Sequence, residues 1–296
     1  MGPGLTGSPA RGWSGVRAIL SMIKFQHTLF ALPFAFTGAI LAADGWPSGR
    51  QIGWILGAMV GARSAAMVFN RIADLEFDRW NPRTAARPLV TGTLTLAQAW
   101  TFLAGGVLLF LLSAAMLNRL ALLLAAPALA VILSYSYAKR FTWLTHLHLG
   151  AALGLAPVGA WVAVRGELGA APLLLGLAVL LWVAGFDIIY ACQDVGFDRA
   201  AGLRSIPVRF GIARGLVIAR AFHVMMVTVL ALLAWILPLG GAWLAGTAGA
   251  AALLLYEHRL VRPDDLSRVD QAFFTINGCL SFLVLAATVT DRLLRL

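Results

Sequence analysis

Acidic side chains are scarce in this chain: 13 Asp and Glu stand among 296 residues, and all charged residues together make up 12%. A soluble globular domain carries about twice that share of charge and less apolar material than the 60% found here. The low charge and a mean hydropathy of +0.84 exclude an ordinary soluble protein. Cysteine is almost absent. Cys192 and Cys279 lie in or beside apolar segments without metal or disulfide spacing, which excludes a disulfide scaffold and a zinc finger. Strict polar–apolar alternation is also missing, which excludes a membrane β-barrel. The short polar stretch before the first apolar run lacks a clear cleavage site, and that run is too long for the core of a secretory signal, so it reads as a retained first span.

What is present instead is a succession of apolar runs of about twenty residues, the length that crosses a bilayer as helix. The expected fold is an all-α membrane protein with nine transmembrane helices in one bundle. The helices are expected near 16–42, 51–78, 95–114, 118–138, 145–165, 171–197, 212–238, 240–258 and 270–291. Residues 1–15 read as a cytoplasmic N-terminal tail and 16–296 as a single polytopic domain, with short connections throughout.

The net charge of +10 points to membrane topology rather than to nucleic acid. With nine spans, 17 Lys and Arg fall on the N-terminal side, five on the other, and Arg63 inside a span. The basic side is the cytoplasmic one, so the expected location is the inner (cytoplasmic) membrane of a bacterium, with the N-terminus and the acidic site on its cytoplasmic side.

Six of the acids gather in two places on that side. Asp74, Glu76 and Asp78 end the second apolar run; Asp187, Asp194 and Asp198 end the sixth. Both places contain Asp-x-x-x-Asp and both close on Phe-Asp-Arg, at residues 77–79 and 197–199. On a helix Asn70, Asp74 and Asp78 climb one face, and Asp194 and Asp198 do the same. Carboxylates four apart repel one another unless a cation or protons neutralise them. Hard oxygen ligands of this kind suit Mg²⁺, which shares its shell with phosphates. Arginines that follow at once, Arg79, Arg83 and Arg87, suit phosphate oxygens. On the residues alone two other readings stay open: ordinary helix ends paired with arginines in the headgroup region, and a cation or proton path of a transporter.

Three spaced motifs then resemble the UbiA-type intramembrane prenyltransferases, in the branch similar to 4-hydroxybenzoate polyprenyltransferases. "NRIADLEFD" matches their Asn-x-x-x-Asp-x-x-x-Asp motif. "DIIYACQDVGFD" matches Asp-x-x-Tyr-Ala-x-x-Asp-x-x-x-Asp, and "YSYAK" matches Tyr-x-x-x-Lys. The likeness extends to "NPRTAARPL" and "GLRSIPVRFG". Arg71 is a departure, because many members of the ubiquinone branch place an acid there.

The resemblance implies a cytoplasm-facing active-site pocket. There a polyprenyl diphosphate and an aromatic acid would react, with its tail in the bilayer. It implies Mg²⁺ held by Asn70, Asp74, Asp78, Asp194 and Asp198, with Lys139 on the diphosphate. Substrate contacts would come from Tyr135, Tyr190, Asp187, Arg204 and the three arginines above. Arg63, two turns deeper than Asn70, would position the acceptor or pair with Asp187. The implied acceptor is 4-hydroxybenzoate, or 1,4-dihydroxy-6-naphthoate in the futalosine route to menaquinone. His27 reads as a helix-contact residue, and His146, His148, His223 and His258 show no metal-like spacing.

Overall fold

The computed structural model describes residues 28–81 and 84–295. The expected N-terminal tail, the first part of the first span, His27 and Arg83 lie outside them. Every extended element among the described residues is helical: α1 (Thr28–Ala43), α2 (Gly49–Ala73), α3 (Leu75–Trp80), α4 (Leu96–Leu117), α5 (Arg119–Phe141), α6 (Thr145–Arg165) and α7 (Ala170–Ala191). A 3₁₀ turn, Cys192–Asp194, leads to α8 (Val195–Ala200), α9 (Ile206–Phe210), α10 (Ile212–Ile236), α11 (Gly241–Leu260), α12 (Val269–Gln271) and, after a π-helical turn, α13 (Asn277–Leu293).

Among the described residues seven segments are long and apolar enough to cross a bilayer, and the protein is an integral, multi-pass membrane protein. The apolar part of α1 is shorter, and α11 falls outside this set although it is twenty residues long. Leu108, Leu123, Val217, Trp235 and Leu255 are exposed on the outside of the bundle, where lipid replaces water as solvent.

Local chemistry sets the helix starts. Ser48 and Gln51 form a reciprocal capping box at α2, and Thr95 and Gln98 form another at α4. Asn118 caps α5 through Ala121 N at 2.9 Å, and its amide also reaches Val162 O of α6 at 2.7 Å. α6 stops at Gly166, whose φ of +69° is the left-handed conformation that glycine adopts without a steric penalty.

α2 packs on α4, and α7 packs between α6 and α10. Glycine permits the closest of these approaches. A Cβ at Gly61 would stand 2.6 Å from Phe110 N, and one at Gly150 only 2.3 Å from Leu180 O. In lipid, such backbone contact replaces the hydrophobic effect as the force between helices. The core centres on α7, with Trp182, Phe186, Phe30, Phe34 and Phe273 in edge or tilted ring contacts.

The last span departs from a plain helix at Ala272–Ile276, a π turn. Asn277 Nδ2 donates to the Ala272 and Phe273 carbonyls at 3.1 and 3.2 Å and to Glu257 Oε1 at 2.8 Å, while Trp182 Nε1 donates to Asn277 Oδ1 at 2.6 Å. One amide thus serves the backbone loosened by the π turn and ties α7, α11 and α13 together.

Candidate active site

The acidic motifs were expected on unbroken helices ending at 78 and 197. Both helices instead break at the middle acid. α2 ends at Ala73, Asp74 has φ −92° and ψ 5°, and α3 follows at Leu75. α7 ends at Ala191, Asp194 has φ −96° and ψ 1°, and α8 follows. Both aspartates occupy the bridge region between helix and strand conformations, often used at active sites. The chain keeps its i→i+4 spacing at the first break, where Asp74 N donates to Asn70 O at 2.9 Å and Asp78 N to Asp74 O at 2.8 Å.

The two motifs, with α5, line one cavity of about 170 Å³. Asn70, Asp74, Asp78, Asp194, Asp198, Tyr135, Lys139 and Arg87, all singled out by sequence, are among its walls. So are Arg71 and Arg140, which sequence reasoning had not placed in the site. Arg140 follows Lys139 directly, and that adjacency was the available signal. Its guanidinium donates to Ala73 O at 2.5 Å, lies 3.7 Å from Asp74 Oδ1, and sits over the Phe77 and Tyr137 rings.

Basic groups neutralise the acids in this state. Arg87 Nη1 donates to both oxygens of Asp78, at 2.6 and 2.5 Å. Lys139 Nζ donates to Asp198 Oδ2 at 3.1 Å, joining α5 to α8. Asn70 Nδ2 donates to Asp74 Oδ2 at 2.9 Å, and Arg71 donates to Asn70 Oδ1 at 3.2 Å. Asp74 lies just beyond α2. Burial first, and then the charge of Asp78, push its carboxyl above the usual range, against the pull of Arg140.

The remaining sequence-selected residues fall elsewhere. Asp187 does not pair with Arg63; His146 takes that place, with Nδ1 2.7 Å from Asp187 Oδ2. Ile206 N donates to His146 Nε2 at 3.4 Å, an arrangement that suits an Nδ1–H facing the carboxylate. The spacing of the two residues gave no hint of this pair, because α6 and α7 bring them together across 41 positions. Arg204 is turned away from the cavity walls, its side chain donating to Phe141 O and its backbone N to Lys139 O, both at 2.7 Å. Tyr190 stacks on Phe273 with ring centroids 4.3 Å apart. Arg79 is exposed outside the cavity, and Arg63 is also off its walls, with a buried Nε that has no hydrogen-bond partner among the described residues.

The donor set fits a hard divalent cation: one amide oxygen and four carboxylates surround a single polar cavity. Among the described residues no three such groups stand ready as a metal cluster, in keeping with the basic partners that hold Asp74, Asp78 and Asp198.

Residues 31–279 match the UbiA prenyltransferase family. A protein of Salmonella paratyphi C named 4-hydroxybenzoate octaprenyltransferase is 34% identical over 216 residues, 72% of this chain and 74% of that protein. One of the same name from Pseudomonas aeruginosa is 33% identical over 255 residues, 86% of each chain. The apo structure of a UbiA homolog from Aeropyrum pernix K1 superposes with a TM-score of 0.82 at 38% identity, covering 90% of this chain and 98% of that one. A UbiA homolog from Archaeoglobus fulgidus, bound to GPP and Mg²⁺, shares the fold with a TM-score of 0.74 at 22% identity, covering 93% and 99%. The chain belongs to the UbiA prenyltransferase family and is a membrane polyprenyltransferase.

Proposed function

We propose that the protein transfers a polyprenyl group from polyprenyl diphosphate to the ring of 4-hydroxybenzoate in respiratory quinone synthesis. The observation that carries this reading is the pair of interrupted acidic motifs lining one cavity with Lys139, Arg87 and Arg140 on its walls. The names of the two relatives support the acceptor.

Asn70, Asp74, Asp78, Asp194 and Asp198 would hold Mg²⁺, which supplies positive charge to the departing diphosphate when bound. With Asp78 and Asp198 given to a cation, Arg87 and Lys139, which hold them here, would be available to phosphate oxygens. The allylic C–O bond breaks with its electron pair leaving on pyrophosphate. A ring carbon of the acceptor supplies the pair for the new C–C bond, and loss of its proton restores aromaticity. Apolar walls around the prenyl chain keep water from the cation. Arg63 lies about 10 Å deeper along α2 than Asn70, and its unpartnered Nε would receive the acceptor's carboxylate. The 17-to-5 distribution of basic residues supports a cytoplasmic opening in the inner membrane.

The second acceptor is 1,4-dihydroxy-6-naphthoate, and Arg71 keeps it in play by weakening the case for 4-hydroxybenzoate: it stands at the cavity, where many members of the ubiquinone branch place an acid. Product mass spectrometry decides between them. Purified protein receives Mg²⁺, a mixed set of prenyl diphosphates and each acceptor in turn. Prenylated 4-hydroxybenzoate supports the first reading, and prenylated naphthoate alone replaces it.

A further inference from the structure

A second cavity, of about 330 Å³, opens at the same end of the bundle between the start of α10 and the end of α11. Arg220, Arg259, Arg262 and His258 line it over an apolar floor that includes Leu216 and Val217. Its wall is fixed. Arg262 and Asp265 exchange two backbone hydrogen bonds at 3.0 and 3.1 Å, and His258 Nε2 lies 3.0 Å from His223 Nδ1.

Nearby basic groups on the same end of the bundle have partners: Arg87 holds Asp78, Arg140 lies against Asp74, Arg204 holds a carbonyl, and Arg209 covers Trp143. Among the described residues Arg220, Arg259 and Arg262 make no ion pair. Of the two acids that follow Arg262, Asp264 makes no ion pair with it among the described residues, and Asp265 accepts from Ser267 N and Oγ at 3.0 and 2.7 Å and lies beyond ion-pair distance of the guanidinium.

Arg220 adds an independent constraint. It is exposed, yet it lies eight residues inside a 25-residue span, about 12 Å along the helix from its start. α10 is about 37 Å long against a hydrocarbon core of about 30 Å, so Arg220 begins below the headgroups. A guanidinium there must reach outward to phosphate. The helix faces beside the cavity are apolar and exposed, at Val217 and Val224 of α10 and Leu255 of α11, and offer a bed for acyl chains.

We propose that this cavity binds the headgroup of an anionic phospholipid, with the three arginines on its phosphate and the acyl chains along α10 and α11. The site is separate from the acidic cavity and does not depend on the acceptor assigned above. Basic pockets between membrane helices suit such headgroups.

The test is lipid retention by the full chain in mixed micelles containing phosphatidylglycerol or phosphatidylcholine, read by native mass spectrometry. Each basic group near an anionic surface strengthens attraction several-fold, so wild-type protein should retain phosphatidylglycerol with a preference of about tenfold or more. The Arg220→Gln, Arg259→Gln, Arg262→Gln triple variant should lose that preference while keeping its prenyl transfer rate. Equal retention of the two lipids by wild type overturns the proposal, and so does an unchanged preference in the variant. Displacement of phosphatidylglycerol by millimolar inorganic phosphate or pyrophosphate also overturns it, in favour of a soluble-anion site. If the triple variant does not fold, single Arg220→Gln is read by the same comparison.

Discussion

Asp74 and Asp194 adopt the same backbone conformation, φ −92°, ψ 5° and φ −96°, ψ 1°, at the point where each acidic helix breaks. Each lies four residues before a buried aspartate, Asp78 or Asp198, whose carboxylate carries a basic partner. Two motifs with poorly matching flanks thus reach one geometry, and they reach it facing a shared cavity.

Equivalent geometry predicts equivalent consequences. Asp74→Ala and Asp194→Ala should each lower acceptor-dependent pyrophosphate release by roughly 100-fold or more, the scale set by removing one charge-stabilising group from an active site. Full activity in both variants would remove these residues from the proposed metal set.

Arg87 holds Asp78, a member of the proposed metal set. Arg87→Ala should lower the stability of metal-free protein by about 1–3 kcal/mol, because a buried acceptor loses its donor. Added Mg²⁺ should then raise the melting temperature of the variant more than that of wild type. A variant that melts with wild type in chelator, with an identical Mg²⁺ response, contradicts this account.

The proposed function gives Arg63 to the acceptor and not to the diphosphate. Arg63→Ala should raise KM for the aromatic acid by about 10- to 100-fold, the range of a hydrogen bond to a charged group. KM for the prenyl diphosphate should stay nearly constant. Steady-state kinetics with each substrate varied in turn separates the two; a rise confined to the diphosphate reverses the assignment.

His146 holds two elements at once, Asp187 of α7 through Nδ1 and Ile206 N of α9 through Nε2. His146→Phe keeps an aromatic ring but leaves both partners without it. The expected loss is about 1–3 kcal/mol per unsatisfied buried group, read as a fall in melting temperature. No fall would mean that neither contact matters to the fold.

Helix contact gives a matched pair of glycine substitutions. Gly61→Ala forces a Cβ against the α4 backbone, whereas Gly105, on α4, has nothing within 4 Å of the same added atom. Gly61→Ala should cost about 1–3 kcal/mol, and Gly105→Ala should be neutral or stabilise by about 0.5–1 kcal/mol. Thermal unfolding of the two purified variants is the check, and equal melting temperatures would contradict the close approach.

The sequence by itself determined the all-helical membrane fold, because apolar runs of bilayer length leave the backbone no other way to satisfy its hydrogen bonds within one segment. It also singled out five polar residues that the structure brings to one cavity. Asn70, Asp74 and Asp78 repeat at helical spacing, and Asp194 and Asp198 repeat it again, so local periodicity alone marks them. Tertiary structure decided the rest. The breaks at Asp74 and Asp194 are invisible in a pattern that suits a continuous helix equally well. The pairing of Asp187 with His146 in place of Arg63, the turning of Arg204 to a carbonyl, and the entry of Arg140 into the cavity all join residues far apart in the chain. Charge and spacing state what a side chain can bind, but which partner lies within 3 Å depends on how the helices cross, and here that crossing depends on backbone contact at glycines such as Gly61 and Gly150.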